Sequence, residues 1–334
     1  MAKLTSMSLA EARAALESYD LDVAEVEALD AGSVNSNFAV QTQSRERFFV
    51  RVYEEQDGDG AAAELARLQK LYENGVPTAP PRPRRDGRFA GRHAGKPLGV
   101  HPWIDGAILC FARVTPAAAR EVGRALARVH RCTPELGRIT AGRFGLDGLR
   151  ERLERVDAAD PSYASDTARI RERIAYHTAH GPSSLPSGLI HGDLFRDNVL
   201  WRESAALDRA ALDDASGPEL LALLDFESAS AGAFIYDLMV CVHAWCYGQS
   251  FDLSLVRAMF DGYRDERPLE PAELAAVVPQ GALAALRFAT TRLTDFSLRA
   301  PPGTPPKRDY RRFLARLDAL EGGALAPIIE EGKP

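Results

Sequence analysis

No stretch of this 334-residue sequence reaches the roughly 18 consecutive apolar residues that a membrane-spanning helix needs. The most apolar segment, 234–247, contains Asp237 and His243. The N-terminal residues also lack the apolar core of a signal peptide, and they lead into a helical pattern that Ser8 would cap. We therefore expect a cytoplasmic protein with no membrane partner.

The sequence has no excess of basic residues. It contains 41 Lys and Arg against 47 Asp and Glu, which gives a net charge of −6 at pH 7. Surfaces that bind nucleic acid or anionic lipid are normally basic, so the expected partner is a small molecule. The sequence makes no prediction about the number of subunits.

Cysteine is also scarce, with four residues whose spacing fits neither a zinc site nor a secreted disulfide framework. They are Cys110, Cys132, Cys241 and Cys246. We expect buried, reduced thiols. The composition is otherwise that of a globular protein, with 46% hydrophobic residues, and the length favours two folding units over one.

The most informative segment that is present is 191–198, which reads H-G-D-L-F-R-D-N, and an apolar run later in the chain ends at Asp225. The spacing H-x-D-x-x-x-x-N with a later D-F indicates phosphoryl transfer. Asp193 is the predicted base that orients a hydroxyl group, and Asn198 and Asp225 are predicted oxygen ligands for Mg²⁺. Taken singly, these residues could equally be turn and strand-end residues, but their joint spacing favours a catalytic site.

With these residues, the chain resembles the aminoglycoside phosphotransferase and choline kinase superfamily, whose catalytic segment begins H-G-D. It is most similar to the bacterial homoserine kinases of the protein-kinase-like type. Four segments carry this narrower likeness: 31–38, 191–201, 235–238 and 286–296. The last one departs from the family pattern at Ala289 and Thr294, where the family tends to have aromatic residues.

The resemblance implies an α+β, protein-kinase-like fold with two lobes. Residues 1–104 are expected to form a small N-terminal lobe with an antiparallel sheet, which would bind the nucleotide. Residues 105–334 are expected to form a larger, mainly helical lobe with the catalytic loop and the acceptor site. Helical patterns lie at 9–19, 61–73, 166–179, 236–247, 253–264, 271–278, 281–298 and 307–320, with a further helix beginning at Thr115-Pro116. Strand patterns lie at 37–42, 48–53, 82–92 and 98–104.

A nucleotide site of this type needs backbone amides over the phosphates and a cation from the third strand. The glycine-rich loop is missing, since only Gly32 precedes the polar turn that contains Ser33 and Asn35. This turn is either a phosphate loop or an ordinary polar turn. Arg51 takes the place of the usual lysine, and it would point either to the nucleotide or to solvent.

Two further nucleotide-side predictions follow from the resemblance. Glu64 would pair with Arg51, as the helix glutamate of protein kinases does, or it would be a solvated residue in the first turn of its helix. The segment 100–103 is the candidate hinge for adenine, which makes His101 and Trp103 candidate cofactor-binding residues. Trp103 is equally a candidate for core packing.

The acceptor side is predicted from three positively charged groups and one acid. Arg196, three residues after the base, would neutralise charge on the transferred group or form a surface ion pair with Asp197 or another acid. Homoserine carries a carboxylate and an ammonium group, so its pocket needs an arginine and an acid. The candidates are Arg287, Arg292 and Asp295, although the last two could simply pair with each other on one helix face.

Two residues near the motif are assigned supporting roles. Asp237 precedes an apolar helix, so its default role is an N-cap, while the resemblance implies that it supports the catalytic loop. His191 is expected to organise the backbone of the loop. The polar stretch 202–218 is expected to be a surface excursion of the hairpin that joins the two catalytic strands.

The prediction is an ATP- and Mg²⁺-dependent kinase that phosphorylates a hydroxyl group, with L-homoserine as the leading acceptor. The alternatives are another phosphotransferase of the superfamily, acting on an aminoglycoside, choline or methylthioribose, or an inactive nucleotide-binding module. A protein kinase is disfavoured because no long activation segment ending in A-P-E follows Asp225.

Overall fold

The computed structural model describes residues 5–29, 34–137, 139–142, 144–182, 184–202, 218–301 and 304–332. It divides into two compact units. The first unit consists of Met1–Ala107 and Leu221–Glu227, and the second consists of Ile108–Leu220 and Ser228–Pro334. The sequence placed the main boundary after Ile104 and kept 221–227 with the helical lobe, whereas in the structure this segment belongs to the first unit.

The first unit contains a five-stranded antiparallel sheet with strand order β1-β2-β3-β5-β4. Its strands are β1 (Val23–Leu29), β2 (Ser36–Thr42), β3 (Arg47–Val52), β4 (Gly91–His93) and β5 (Lys96–Pro102). The predicted strands at 37–42 and 48–53 are confirmed as β2 and β3, which pair as an antiparallel hairpin. β1 was missed because Glu25 and Glu27 interrupt its apolar pattern, although V-A-E-V-E-A-L alternates as an edge strand does.

The predicted strand over 82–92 is wrong for most of its length, because strand pairing begins only at Gly91. Pro80, Pro81 and Pro83 lack the amide donor that a strand interior needs, so the chain runs irregularly there. The chain turns at Asp86-Gly87, where the Gly87 amide donates to the Arg84 carbonyl at 2.9 Å.

Two helices cover the sheet of the first unit. Helix α1 (Leu9–Leu16) begins at the predicted cap Ser8, which forms a capping box with Glu11. Helix α2 (Gly58–Glu73) begins at Asp57 and ends at Asn74, before Gly75 in the left-handed region. One face of the sheet and α1 share a core of buried apolar residues that includes Leu16, Tyr19, Val23, Phe38, Val40, Val50, Val52, Leu98 and Val100.

The segment 221–227 joins the first unit by hydrogen bonds to the residues that follow α2. It begins within β8 (Leu220–Leu223) and continues to Asp225. The Leu223 amide donates to the Pro77 carbonyl at 2.7 Å, and Thr78 Oγ1 donates to the Leu223 carbonyl at 3.0 Å. This pairing places Asp225 in the same unit as Arg51.

The second unit is mainly helical. Its helices are α3 (Pro116–Arg131), α4 (Leu146–Ala159), α5 (Ala164–His180), α6 (Phe234–Trp245), α7 (Leu253–Glu266), α8 (Pro271–Ala275), α9 (Val277–Arg292), α10 (Arg311–Glu321) and α11 (Ala326–Glu331). It also contains β7 (Val199–Trp201) and an antiparallel pair, β6 (Ser187–Ile190) with β9 (Ser230–Ala233). Sequence patterns missed α4 and α11, and the predicted excursion at 202–218 lies almost wholly outside the described residues.

Helix α6 is the core of the second unit, because every residue in it except Tyr236 is buried. It packs against α3, α7 and α9. Cys132, Cys241 and Cys246 are buried free thiols, as predicted, but Cys110 is exposed, so that part of the prediction is wrong. In the described residues, no helix is long and apolar enough to cross a membrane.

Helices α3 and α7 approach each other closely at two glycines. A Cβ atom on Gly123 would lie 2.1 Å from the Met259 carbonyl oxygen, and one on Gly262 would lie 2.0 Å from the Arg120 carbonyl oxygen. Both obstacles are helix backbone, which cannot rotate away as a side chain can. The two glycines therefore set the distance between these helices.

We expect Gly123→Ala to lower the free energy of unfolding by about 1–3 kcal/mol, because the methyl group forces α3 away from α7. Urea unfolding would measure it. Gly58→Ala is the matched control, since its Cβ would meet only the flexible end of Arg92 at 3.6 Å. Equal stability of Gly123→Ala and the parent protein would contradict the close helix contact.

Candidate active site

The predicted catalytic loop, 191–198, connects β6 to β7 within the second unit. Gly192 adopts a φ of +74°, a conformation that side-chain-bearing residues rarely take. A Cβ atom there would also lie 3.2 Å from the Ser228 carbonyl oxygen. The loop ends in a 3-10 turn, Arg196–Asn198, and its Leu194 carbonyl accepts a hydrogen bond from the buried Trp245 indole at 3.0 Å.

Asp237 anchors the loop from the first turn of α6. Its carboxylate accepts the backbone amide of His191 at 2.7 Å and that of Gly192 at 2.8 Å. The N-cap of α6 is Ala233, so the N-capping role predicted for Asp237 is wrong, and the supporting role implied by the resemblance is observed. His191 accepts the Asp193 amide at Nδ1 over 3.3 Å, as expected of a residue that organises the loop.

A chain of buried polar groups continues behind Asp237. His130 Nε2 lies 3.1 Å from the Asp237 carboxylate, and His130 Nδ1 lies 2.7 Å from the Tyr263 hydroxyl. Arg267 donates to the Tyr263 hydroxyl and pairs with the buried Glu273 at 2.9 Å. Since a carboxylate only accepts, His130 donates from Nε2 and accepts from Tyr263 at Nδ1.

The charge states of Asp237 and His130 agree with these hydrogen bonds. Burial opposes the charge on Asp237, but His130, His191 and the Gly192 amide together outweigh burial, so the pKa of Asp237 is lowered. Burial lowers the pKa of His130 in spite of its acidic neighbour. A neutral imidazole therefore donates to an ionised carboxylate.

The structure brings two predicted site residues together at the loop. Arg287 Nη1 lies 3.2 Å from Asp193 Oδ1, and only 5% of the Arg287 side chain is exposed. Its guanidinium lies 3.8 Å from the ring centre of Phe288 and 4.1 Å from that of Phe144. Asn198 Nδ2 donates to the Asp193 carbonyl at 2.8 Å, which leaves its Oδ1 as the atom that could bind a cation.

Arg196 does not pair with Asp197. Its Nη1 donates to the Ala244 carbonyl at 3.4 Å, near the C-terminal end of α6, and its guanidinium lies 5.2 Å from the ring centre of Phe111. Asp197 instead lies 3.5 Å from Arg308. Burial lowers the pKa of Arg196. In this structure Arg196 therefore interacts with a helix end, where a cation is favourable.

Arg292 and Asp295 do not pair with each other either. Arg292 donates to the Asp309 carbonyl at 3.2 Å and lies 4.4 Å from the Phe313 ring centre, and burial lowers the pKa of Arg292 to about 10. Asp295 accepts from Arg152 at 3.0 Å. Arg152 lies on α4, the helix that sequence patterns missed.

In the first unit, Asp225 and Arg51 form an ion pair at 3.2 Å. Asp225 has a φ of +60°, which aspartate tolerates better than most residues. Arg51 Nε also donates to Asn37 Oδ1 at 3.3 Å. Burial lowers the pKa of Arg51, but Asp225 and the other acidic groups nearby together outweigh burial, so the pKa of Arg51 is raised.

Asn35 is held on both sides of its amide group. Its Nδ2 donates to Glu227 at 3.2 Å, and its Oδ1 accepts the Glu54 backbone amide at 3.2 Å. Asp225 and Glu227 therefore both contact the edge of the sheet where β2 begins and β3 ends. The predicted phosphate-loop residue Ser33 lies outside the described residues.

Both predictions for the surroundings of Glu64 need correction. It forms no ion pair with Arg51, whose carboxylate partner is Asp225, and it is not solvated, since it is only 6% exposed. It accepts from Gln56 at 2.7 Å and from the Tyr53 hydroxyl at 3.3 Å. These donors satisfy the buried carboxylate without a cation.

The two candidate hinge residues differ in burial. His101 is buried in β5, where its Nδ1 lies 3.1 Å from the Ala79 carbonyl, and burial lowers the pKa of His101 to about 4. Trp103 is half-buried, donates to Asp105 at 3.0 Å and stacks under Arg47 at 4.0 Å.

A sequence model of the phosphotransferase enzyme family (APH) matches residues 25–271 of the chain. The chain belongs to this family. A homoserine kinase from Azorhizobium caulinodans is 33% identical over 326 residues, which cover 95% of each chain. The predicted family is thereby confirmed, and the chain is a phosphotransferase of the small-molecule kinase type.

Two solved structures share its fold. Spectinomycin phosphotransferase APH(9)-Ia, in complex with ADP and spectinomycin, has a TM-score of 0.66 and 12% identity over 95% of this chain and 98% of that one. Amicoumacin kinase hAmiN, in complex with AMP-PNP, Ca²⁺ and Ami, has a TM-score of 0.64 and 16% identity over 92% of this chain and 89% of that one. The predicted fold class, α+β and protein-kinase-like, is confirmed.

Several contacting residues had no signal in the sequence. Arg152 and Phe144 meet Asp295 and Arg287 over more than a hundred positions of chain, so local patterns carried no information about them. His130 lies in a well-predicted helix, but nothing local distinguishes it from a core histidine. Glu227, directly after the D-F pair, could have been considered because the motif was already recognised.

Proposed function

We propose that this phosphotransferase transfers the γ-phosphoryl group of ATP to the side-chain hydroxyl of L-homoserine. The observation that carries the proposal is the Asp193–Arg287 pair, because it places a buried guanidinium beside the carboxylate of the catalytic motif. A buried cation next to Asp193 disfavours a polycationic aminoglycoside as the acceptor. The homoserine kinase from Azorhizobium caulinodans supports this acceptor.

In this proposal, Asp193 orients the acceptor hydroxyl and receives its proton as the phosphoryl group is transferred. Arg287 holds the Asp193 carboxylate and offers its remaining donors to the acceptor. Arg196 stays a candidate for charge neutralisation, which would require it to leave the Ala244 carbonyl. Arg292 remains a substrate-binding candidate with weaker support, because it faces Asp309 and Phe313.

We assign Mg²⁺ to Asn198 and Asp225 on the chemistry of their donor atoms. The Asn198 amide oxygen accepts no hydrogen bond from the residues that the structure describes, and the Asp225 carboxylate is about one-third exposed. Both are hard oxygen ligands. Mg²⁺ keeps several waters and needs few protein ligands, so the absence of a cluster of three His, Cys, Asp or Glu among the described residues is compatible with it. When bound, the metal would neutralise phosphate charge.

For ATP, the proposal assigns Arg51 and Asn35 to the phosphates and the backbone of His101 and Trp103 to the base. Ser33 keeps its proposed phosphate role, and Glu64 acts only indirectly, through Tyr53 on the strand end. The bound AMP-PNP and Ca²⁺ of amicoumacin kinase support the use of ATP with a divalent cation. A reaction of ATP with a free amino acid also fits the proposed cytoplasmic location.

The acceptor is tested by measuring ADP release, at one Mg²⁺ and ATP concentration, with L-homoserine, choline, an aminoglycoside and methylthioribose. We expect the highest kcat/KM with L-homoserine. Turnover of another alcohol without turnover of homoserine would remove the acceptor assignment and keep the kinase. ADP release that is independent of every acceptor would favour a nucleotide-binding module with residual hydrolysis.

A further inference from the structure

Arg152 is a mostly buried cation that uses only part of its hydrogen-bonding capacity. Its side chain is 19% exposed. Nη1 donates to Thr294 Oγ1 at 2.8 Å and to Asp295 Oδ1 at 3.0 Å. In the described part of the chain, Nε and Nη2 make no hydrogen bond. A guanidinium edge that makes no hydrogen bond within the described residues is suited to a carboxylate.

Two successive residues just beyond the end of α9, Thr294 and Asp295, accept hydrogen bonds from Arg152. Helix α9 ends at Arg292 and continues as a π-helical turn, Leu293–Ser297. Neighbouring residues on a helix point in different directions, yet Thr294 and Asp295 both accept from one nitrogen of Arg152. Such wide turns are frequent at functional sites.

Asp295 likewise has an oxygen to spare. Oδ1 accepts from Arg152 and from Thr294 Oγ1 at 3.0 Å, whereas Oδ2 accepts no hydrogen bond from the residues that the structure describes. The side chain is 37% exposed, and Asp295 borders a cavity of about 310 Å³ that Arg299 and Lys307 also line. An exposed carboxylate oxygen next to a guanidinium edge is complementary to a zwitterion.

The Phe144 ring lies near both Arg152 and Arg287, and Arg287 contacts the catalytic loop. The guanidinium of Arg152 lies 5.5 Å from the ring centre of Phe144, and that of Arg287 lies 4.1 Å from it. Arg287 in turn contacts Asp193 at 3.2 Å. The two ion pairs, Asp193–Arg287 and Arg152–Asp295, therefore both adjoin Phe144 through their guanidinium groups.

We propose that Arg152 and Asp295 form the subsite for the α-amino-acid end of the acceptor, an inference that rests on the proposed function. Arg152 binds the α-carboxylate through Nε and Nη2, and Asp295 Oδ2 accepts from the α-ammonium group. The hydroxyl at the other end of the molecule then reaches Asp193. Arg152 is thus a specificity-determining residue for the acceptor.

The test compares L-homoserine with two acceptors that each lack one charged group. 3-Aminopropan-1-ol has no carboxylate, and 4-hydroxybutyrate has no ammonium group. We expect Arg152→Gln to lower kcat/KM for L-homoserine about 10- to 100-fold, the loss typical of a charge-assisted hydrogen-bonded pair, and to leave kcat/KM for 3-aminopropan-1-ol and KM for ATP unchanged. Asp295→Asn should lower kcat/KM for both amines and spare 4-hydroxybutyrate.

Two control variants complete the design. Arg150→Gln removes an exposed arginine from the same helix and should change none of these constants. Arg299→Gln removes the rival cation beside Asp295, and a carboxylate-selective loss in that variant alone would overturn the assignment of Arg152. Equal losses for L-homoserine and 3-aminopropan-1-ol in Arg152→Gln would also overturn it. An unmodified enzyme that does not turn over homoserine would instead refute the proposed function, and the subsite with it.

Discussion

Replacing Asp193 with alanine is expected to lower kcat by about 10²- to 10⁴-fold and to leave the Kd for ATP unchanged. Asp193 acts on the acceptor hydroxyl in the proposed reaction, whereas the residues assigned to ATP lie elsewhere in the chain. Turnover would be measured as ADP release with L-homoserine, and ATP binding would be measured by calorimetry on the same preparation.

Two further variants make this result interpretable. Asp193→Ala leaves the buried Arg287 without its carboxylate, so a loss of folding could imitate a loss of chemistry. Asp193→Asn keeps the volume and a hydrogen-bond acceptor, and it should show the same loss of kcat with a near-parental unfolding curve. Asp197→Ala, an exposed acid of the same loop, is the matched control. Retained turnover in both Asp193 variants would remove the assigned base.

The second large effect is expected at Asp237. Asp237→Asn should lower the free energy of unfolding by about 3–5 kcal/mol and also reduce kcat, because a buried acceptor of three hydrogen bonds becomes an amide. The new amide donors would face the amides of His191 and Gly192, which also donate. Urea unfolding at pH 7 and ADP release would measure the two effects.

The pH dependence of this stabilisation has a definite sign. The pKa of Asp237 is lower in the folded chain than in the unfolded one. The stabilisation is therefore complete above the ordinary pKa of an aspartate, and it is lost as the pH falls through the folded-state pKa. The difference in stability between the parent protein and Asp237→Asn should shrink on acidification in that window.

Tyr263→Phe is a milder variant in the same network of buried polar side chains, and it serves as a control. It removes only the hydroxyl between Arg267 and His130, so a cost of about 1 kcal/mol is expected, with a smaller change in kcat than at Asp237. Unchanged stability in Asp237→Asn, or a larger loss in Tyr263→Phe than in Asp237→Asn, would contradict the anchoring role of Asp237.

The sequence correctly predicted those helices and loops that are determined by residues close together in the chain. Ser8 and Thr115 cap helices as expected, and the spacing from His191 to Asn198 placed the loop between two strands. The failures also have local causes. Prolines remove strand donors before Gly91, and the acidic residues of β1 hide its alternation.

The partners of the site residues were less predictable, because they come from distant parts of the chain. Asp193 and Arg287 are 94 positions apart, and Arg51 and Asp225 are 174 positions apart. Residue type alone allowed Arg51 to pair with Glu64 and Arg292 with Asp295, and the folded chain uses neither pairing. The resemblance supplied the residue types of the site, while the structure supplied which of them meet.

Identification of the product tests directly whether the phosphoryl group is transferred to the side-chain hydroxyl of L-homoserine. The purified protein would be incubated with ATP, Mg²⁺ and L-homoserine, and the mixture examined by ³¹P NMR. We expect a new phosphomonoester signal that couples to the protons of the homoserine methylene group bonded to the side-chain oxygen. Inorganic phosphate as the only new signal apart from those of ADP, or phosphate bound to the carboxylate, would contradict this expectation.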